Sequence, residues 1–346
     1  MSQPFFTIGV PTYNRHGLLK QTLQSILSQE FTDFEVIVGN DYTDETLNGE
    51  MLGIADPRIH FVNHPLNLRE VGNMNRLLEL AEGRYFTWVF DDDLYEPEFL
   101  RTAYDTLAAY GYPSAFFSSF KTIQNGVPPQ PAYGRCSAPE ILTGREFLTR
   151  YNPIKPDLIS TSGLFKTHEL KAVVGGVEEL CSSSIGLYCE YLLLVRCALL
   201  KSIVFTHIPL VTFRIHNESW GEFNTELPKY LEAGVNLVRK CADVLQHSSL
   251  KVDLLPNLMK ICSIHLYSFD TKSAMFEVAR NQFGIVAAKR AISMFFSESK
   301  RVRQVYCELI DCDPFRARRT FFMLELYCCR LMLFKLRHHR SLRAGK

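Results

Sequence analysis

Three consecutive carboxylates, Asp91, Asp92 and Asp93, follow the apolar run "YFTWVF". Two carboxylates about 4 Å apart repel by about 4 kcal/mol at an effective dielectric of about 20, so the cluster requires water, hydrogen bonds or a cation. A D-x-D arrangement after a strand offers a hard divalent cation a few oxygen ligands and leaves positions for diphosphate oxygens and water. On an extended backbone Asp91 and Asp93 share one side and Asp92 faces the other. The competing structural reading is a polar loop that caps a helix starting near Glu96. Two more polar clusters, residues 12–15 and 40–44, also end apolar runs.

These clusters need elements to position them. "FFTIGVP" reads as a strand stopped by Pro11, and residues 16–29 place Leu18, Leu19, Leu23, Ile26 and Leu27 at helical spacing. "FEVIVGN" and "IHFVNH" are further strands, "REVGNMNRLLELAEG" an amphipathic helix, and "RYFTWVF" a fourth strand. Strict alternation with strands apolar on both faces predicts a mainly parallel α/β sheet flanked by helices, whose ligands bind beyond the carboxyl ends of the strands. "SAFFSSF" continues the strand pattern, "NGVPPQPAYGR" reads as a loop, and "YCEYLLLVRCALL" as a helix before the strands "SIVFTHIP" and "LVTFRIH". From about residue 227 the pattern is helical. The predicted organisation is a unit over 1–222, with a first half to about 93 and a second over 94–222, followed by a helical region over 223–346.

Composition (47% hydrophobic, 22% charged) is that of a folded protein. The start of the chain has neither a basic leader nor a long apolar core, and apolar runs fall short of the roughly 20 residues of a membrane span. Ten cysteines without C-x-x-C spacing point to a reducing compartment rather than a zinc or disulfide scaffold. The net charge is +1 overall. From residue 314 onward nine Lys or Arg face one acid, Glu325, leaving −7 for the first 313 residues. A basic tail on an acidic body suits an anionic partner.

Five blocks, "TIGVPTYNR", "FEVIVGNDYTDET", "NLREVGNMNRLLELAEGRYFTWVFDDD", "VGGVEE" and "CEYLLLVRC" with "IPLVTFRIHNES", resemble in order and separation the inverting family 2 glycosyltransferases of GT-A fold, over about residues 4–219. The resemblance implies a nucleotide-sugar donor, a glycan or lipid-linked acceptor as in surface polysaccharide assembly, and Mg²⁺ or Mn²⁺ as cofactor. It implies that Pro11, Thr12 and Tyr13 wrap the nucleotide base, where a stacked ring is worth about 1–3 kcal/mol, and that Arg15 and Asp92 join the donor site. Asp41 would accept a hydrogen bond from the base, although an Asx turn is its plain structural role; Asp44 reads better as an N-cap. Asp91 would meet the ribose or the metal's water shell, and Asp93 would bind the metal. Arg214 and His216 match positions near the diphosphate or metal. Glu190, six residues before Arg196, matches the general base that takes the acceptor hydroxyl's proton; Glu178 and Glu179 are competing acids on the acceptor side.

Two departures stand out. Met74 precedes Asn75 where relatives carry Arg, so no arginine of this helix is expected at the carboxylates, and Asn40 removes a charge from a second loop that is one residue short. The tail suits either packing on the body or an anionic membrane surface on the cytoplasmic face, where Phe and Leu enter the interface and long cations snorkel. Nucleic acid is a poor partner for an acidic body. The alternatives to a transferase are a catalytically silent sugar-nucleotide or glycan-binding module and a sugar nucleotidyltransferase, which would need a Gly-rich loop that "PTYNRHG" lacks.

Overall fold

The computed structural model describes residues 3–124, 127–131, 138–152, 156–216, 227–247, 250, 254–279, 285–311, 317–319 and 321–330. The chain divides into two compact units. The first comprises 1–151, 156–179 and 184–222, the second 223–346 with the short segments 152–155 and 180–183.

The first unit is built on a ten-stranded sheet. β1 (Phe6–Thr12), β2 (Phe34–Asn40), β3 (Ile59–Asn63) and β4 (Tyr85–Trp88) form a parallel half in the order β3-β2-β1-β4. Their residues alternate between two cores. Phe6, Ile8, Val10, Val36 and Val38 pack with Leu19, Leu23 and Ile26 of α1 (His16–Leu27) and with Phe99, Ala103 and Leu107 of α4 (Phe99–Ala109). Ile37, Phe86 and Trp88 pack on the opposite side with Met74, Leu77 and Leu78 of α3 (Arg69–Leu80). Period-2 alternation with both faces covered explains the nearly continuous apolar strands. Each such fully buried Leu, Ile or Phe contributes about 1.5–3 kcal/mol. A short helix α2 (Gly49–Leu52) lies between β2 and β3. Its N-cap is Asn48, whose side chain accepts the Met51 N–H at 3.1 Å, and not the expected Asp44, which lies too far upstream.

The other half of the sheet is mixed. After the two-residue β5 (Leu94–Tyr95) come β6 (Ala115–Gln124), β7 (Val127–Pro131), β8 (Glu140–Leu142), α5 (Gly144–Arg150), β9 (Gly163–Lys166), α6 (Thr167–Glu169), α7 (Cys189–Arg196) and β10 (Ile203–Ile215). β9 runs antiparallel between β4 and β6, and β10 is parallel to β6 and antiparallel to β5 and β8. The two strands expected around Pro209 are one 13-residue strand, because β-bulges flank that proline and absorb its missing N–H. Part of the segment read as a Pro-rich loop is β7, which pairs with β6. Residues 132–137 of that segment lie outside the described residues.

The second unit contains α8 (Leu227–Leu245), α9 (Leu254–Ala279), α10 (Ile285–Ile310) and a helix over 321–330. Its regular elements among the described residues are helices, as expected. Gly234 of α8 abuts the His265 ring of α9: a Cβ there would meet ring atoms at 2.1–2.4 Å. His265, fully buried, bonds Glu298 of α10 at 2.6 Å, and Glu298 also accepts from Arg301 at 2.7 and 2.8 Å. No helix among the described residues is long and apolar enough to cross a membrane. Eight cysteines are described, all but Cys329 buried.

Candidate active site

The carboxyl ends of β1, β2 and β4 deliver Thr12, Asn40 and the Asp91–Asp93 turn to one edge of the sheet. The chain does not stay extended there. The Asp93 N–H donates to the Phe90 carbonyl at 3.1 Å, closing a turn that pairs Asp91 with Asp92 rather than with Asp93. Arg15, the last residue before α1, bridges the pair: its Nη1 donates to Asp91 at 3.1 Å and to Asp92 at 3.2 Å. Thr12 Oγ1 donates to the second oxygen of Asp91 at 2.7 Å. Burial nevertheless prevails over Arg15 and Thr12 and lifts Asp91 up to about 6.

Asp93, fully buried, turns the other way. It accepts the Arg214 backbone N–H at 3.2 Å and faces Thr161 Oγ1 at 3.4 Å, and Thr22 of α1 donates to its carbonyl at 2.8 Å. Burial pushes its carboxyl well above the usual range, and the charges of Asp92 and Glu190 push the same way. The antiparallel pairing of β5 with β10 brings the end of β10 to this turn. There Arg214 Nε donates to the Asp92 carbonyl, Arg214 Nη1 to Gln21 at 2.5 Å, and His216 Nε2 lies 3.1 Å from an Asp92 oxygen. Arg214 Nη2 is buried without a hydrogen-bond partner.

Glu190 stands in the first turn of α7, where the helix N-terminus favours its charged form. Burial wins: its carboxyl is pushed up to about 8, with the charges of Glu70 and Asp92 adding to the shift. Ser160 Oγ donates to Glu190, while its neighbour Thr161 faces Asp93. Two adjacent hydroxyls in the turn over 160–162 therefore tie the proposed base to the aspartate cluster. Neither hydroxyl is marked in the sequence, since Ser and Thr in a loop carry no spacing signal. Glu70 escaped sequence reading for the same reason, at the start of an amphipathic helix where an acid is ordinary. It accepts the Gly186 N–H at 3.1 Å and so holds the segment leading into α7. Burial raises its carboxyl, with Asp92 and Asp91 contributing.

The residues expected to wrap the base lie at the ends of β1 and β2. Pro11 and Thr12 are buried and Tyr13 is 37% exposed, its ring edge-on to Tyr42 at 5.4 Å. Asp41, buried, accepts the Leu68 N–H at 2.6 Å, and burial raises its carboxyl. Asn40 donates to the Tyr42 and Glu45 carbonyls and to Asn63 at 2.9–3.2 Å, a donor role no aspartate can fill. Arg76 pairs with Glu79 on the surface of α3, so the cation at the carboxylates comes from Arg15. Glu178 is engaged by Arg196, and Glu179 is exposed.

The oxygen-rich donors of Asp91, Asp92 and Asp93 suit a hard divalent cation, and the Arg15 guanidinium already holds a bridging position between two of them. No group of three or more His, Cys, Asp or Glu poised to hold a metal ion is gathered among the described residues.

The family model described as "Glycosyl transferase family 2" matches residues 7–170. Over 119 residues the chain is 34% identical to the GalNAc(5)-diNAcBac-PP-undecaprenol beta-1,3-glucosyltransferase of Campylobacter jejuni, 33% of this chain and 37% of that one. Over 95 residues it is 24% identical to the UDP-Glc:alpha-D-GlcNAc-diphosphoundecaprenol beta-1,3-glucosyltransferase WfgD of Escherichia coli, 28% of this chain and 38% of that one. The chain thus spans about a third of the length of the curated relatives it matches. Among solved structures, S. aureus TarS 1-349 in complex with UDP-GlcNAc superposes with a TM-score of 0.51 at 16% identity, covering 86% of this chain and 91% of that one, a likeness of fold.

Proposed function

Through residues 7–170 the chain belongs to glycosyl transferase family 2, with the GT-A fold, and from that premise we propose that it moves one sugar from a nucleotide-diphosphate donor, uridine-based, to a hydroxyl of a glycan or lipid-linked acceptor. The observation that carries the reading is the Ser160–Thr161 step, which joins Glu190 to Asp93 and so puts a carboxyl of raised proton affinity beside the carboxylate cluster. Relatives named as acting on undecaprenol-linked acceptors support the acceptor class.

In this reading Tyr13 and Tyr42 flank the base, Pro11 and Thr12 shape its wall, and Asp41 fixes the loop that meets it. The partnerless Arg214 Nη2 is a ready donor to a phosphate oxygen, and a guanidinium bonded to a diphosphate gains about twice the strength of a neutral pair. Asp91 and Asp92, with His216 beside them, would hold Mg²⁺ or Mn²⁺, which when bound would offset the charge that develops on the leaving diphosphate, while Asp93, the metal ligand the resemblance implies, turns toward Arg214 and Thr161. Glu190 accepts the acceptor hydroxyl's proton as that oxygen attacks the anomeric carbon from the face opposite the leaving group, giving inversion. Within the first unit, the donor half runs to about residue 93 and the acceptor half over 94–222. A lipid-linked acceptor places the protein at the cytoplasmic face of a membrane.

Incubating the chain with a panel of nucleotide sugars, with Mn²⁺ or with EDTA, tests the proposal. The expected result is Mn²⁺-dependent release of nucleoside diphosphate from a uridine-based donor. Donor binding without transfer or hydrolysis across the panel would favour a silent binding module instead.

A further inference from the structure

The helix over 321–330 in the second unit divides sharply by exposure. Phe321, Glu325 and Cys328 are buried, and they fall within a narrow arc of the helix. The opposite side carries Phe322 (58% exposed), Met323 (68%), Leu326 (37%) and Tyr327 (45%), which with Arg330 span roughly 140° of the circumference. Four large apolar side chains on one face are more than scattered surface hydrophobics, which are ordinary when single.

Charge separates along the same division. Glu325, the only acid after residue 313, points inward, where Ser299 donates to it at 2.5 Å and Arg303 at 3.2 Å. Among the described residues, the outward side of this helix therefore presents apolar groups and Arg330, with Arg318 and Arg319 exposed just before it in the chain. An amphipathic helix with aromatic and aliphatic groups on one face and arginines at its borders suits the boundary between lipid headgroups and acyl chains. The remaining tail cations, Arg316, Lys335, Arg337, Arg340, Arg343 and Lys346, lie outside the described residues but are of the same sign.

We infer that the outward face formed by Phe322, Met323, Leu326 and Tyr327 is a docking surface for an anionic lipid leaflet. It deepens the proposed function, resting on that reading for its lipid-linked acceptor. A second copy of the chain would want an apolar patch free of like charges, and three arginines at the rim oppose such pairing.

The chain, its Phe322→Ser/Met323→Ser variant and its Arg318→Glu/Arg319→Glu variant are cosedimented with vesicles of phosphatidylcholine alone and of phosphatidylcholine with phosphatidylglycerol. Transfer to a water-soluble acceptor analogue and mass in solution are measured in parallel. The wild-type chain is expected on the anionic vesicles; the apolar variant loses about tenfold or more in partition, and the charge variant loses the preference for anionic lipid. Soluble-acceptor transfer is expected to stay unchanged in both. Equal partition of wild type and apolar variant, or no wild-type binding, overturns the surface. So does a wild-type dimer that the apolar variant converts to a monomer. Normal vesicle binding without transfer by any form would instead sink the transferase reading and leave the surface standing.

Discussion

As the proposed base, Glu190 has to be ionised to take a proton, yet burial, Glu70 and Asp92 hold its carboxyl up to about 8. Activity measured as kcat/KM should accordingly rise with pH and level off above about 8, since that parameter reports the free enzyme's base. Glu190→Gln should remove transfer by about 10²–10⁴-fold while donor affinity, read by calorimetry, stays near wild type. Glu70→Gln sharpens the assignment. Glutamine can still accept the Gly186 N–H but carries no charge, so one of the influences raising Glu190 disappears and the activity profile should shift toward lower pH. A profile that stays put would separate Glu70 from the base. Stability should run the other way. A carboxyl whose folded pKa lies above its ordinary 4.5 stays protonated in the native state across the interval up to about 8, so ionisation erodes stability as pH rises through it. Glu190→Gln should flatten that part of the melting-temperature profile.

At the scale of elements, the parts of the fold that follow from periodicity were readable: β1 to β4, α1, α3 and the helical second unit all stand where apolar spacing puts them. What escaped depends on contacts distant in sequence. The turn at Asp93, the bulge at Pro209 and the Ser160–Thr161 bridge are each set by a partner tens of residues away, which no local window contains. Asn75 shows the same limit. Its amide bonds both the Val177 carbonyl at 2.8 Å and the Val177 N–H at 3.0 Å, and Gly176 adopts φ 71° so close to it that a Cβ would meet Asn75 Oδ1 at 2.5 Å. The α3 helix thereby fixes the "VGGVEE" loop. Asn75→Ala strands two backbone groups and should cost about 1–3 kcal/mol in denaturant titration. Because that loop lies on the proposed acceptor side, acceptor KM should rise while donor KM holds.

At the scale of the whole molecule, the two units keep their charge in different ways. The first gathers carboxylates at the carboxyl ends of its strands, and the second buries two, Glu298 and Glu325, among side-chain partners. Glu298 is 3% exposed, and His265 and Arg301 hold its carboxyl below the usual range against the opposing effect of burial. Removing one member of such a buried set typically costs about 3–5 kcal/mol, because the cations left behind lose their counter-charge. Glu298→Gln should thus lower the melting temperature by several degrees. Its stabilising effect belongs above the ordinary carboxylate range and should fade as the pH falls through the depressed folded value, so wild type and variant should converge in acid. Donor affinity measured below the transition should be unaffected, since no residue assigned to the nucleotide lies in the second unit. If Glu298→Gln weakened donor binding while leaving the melt unchanged, the assignment of structural charge to one unit and chemical charge to the other would have to be abandoned.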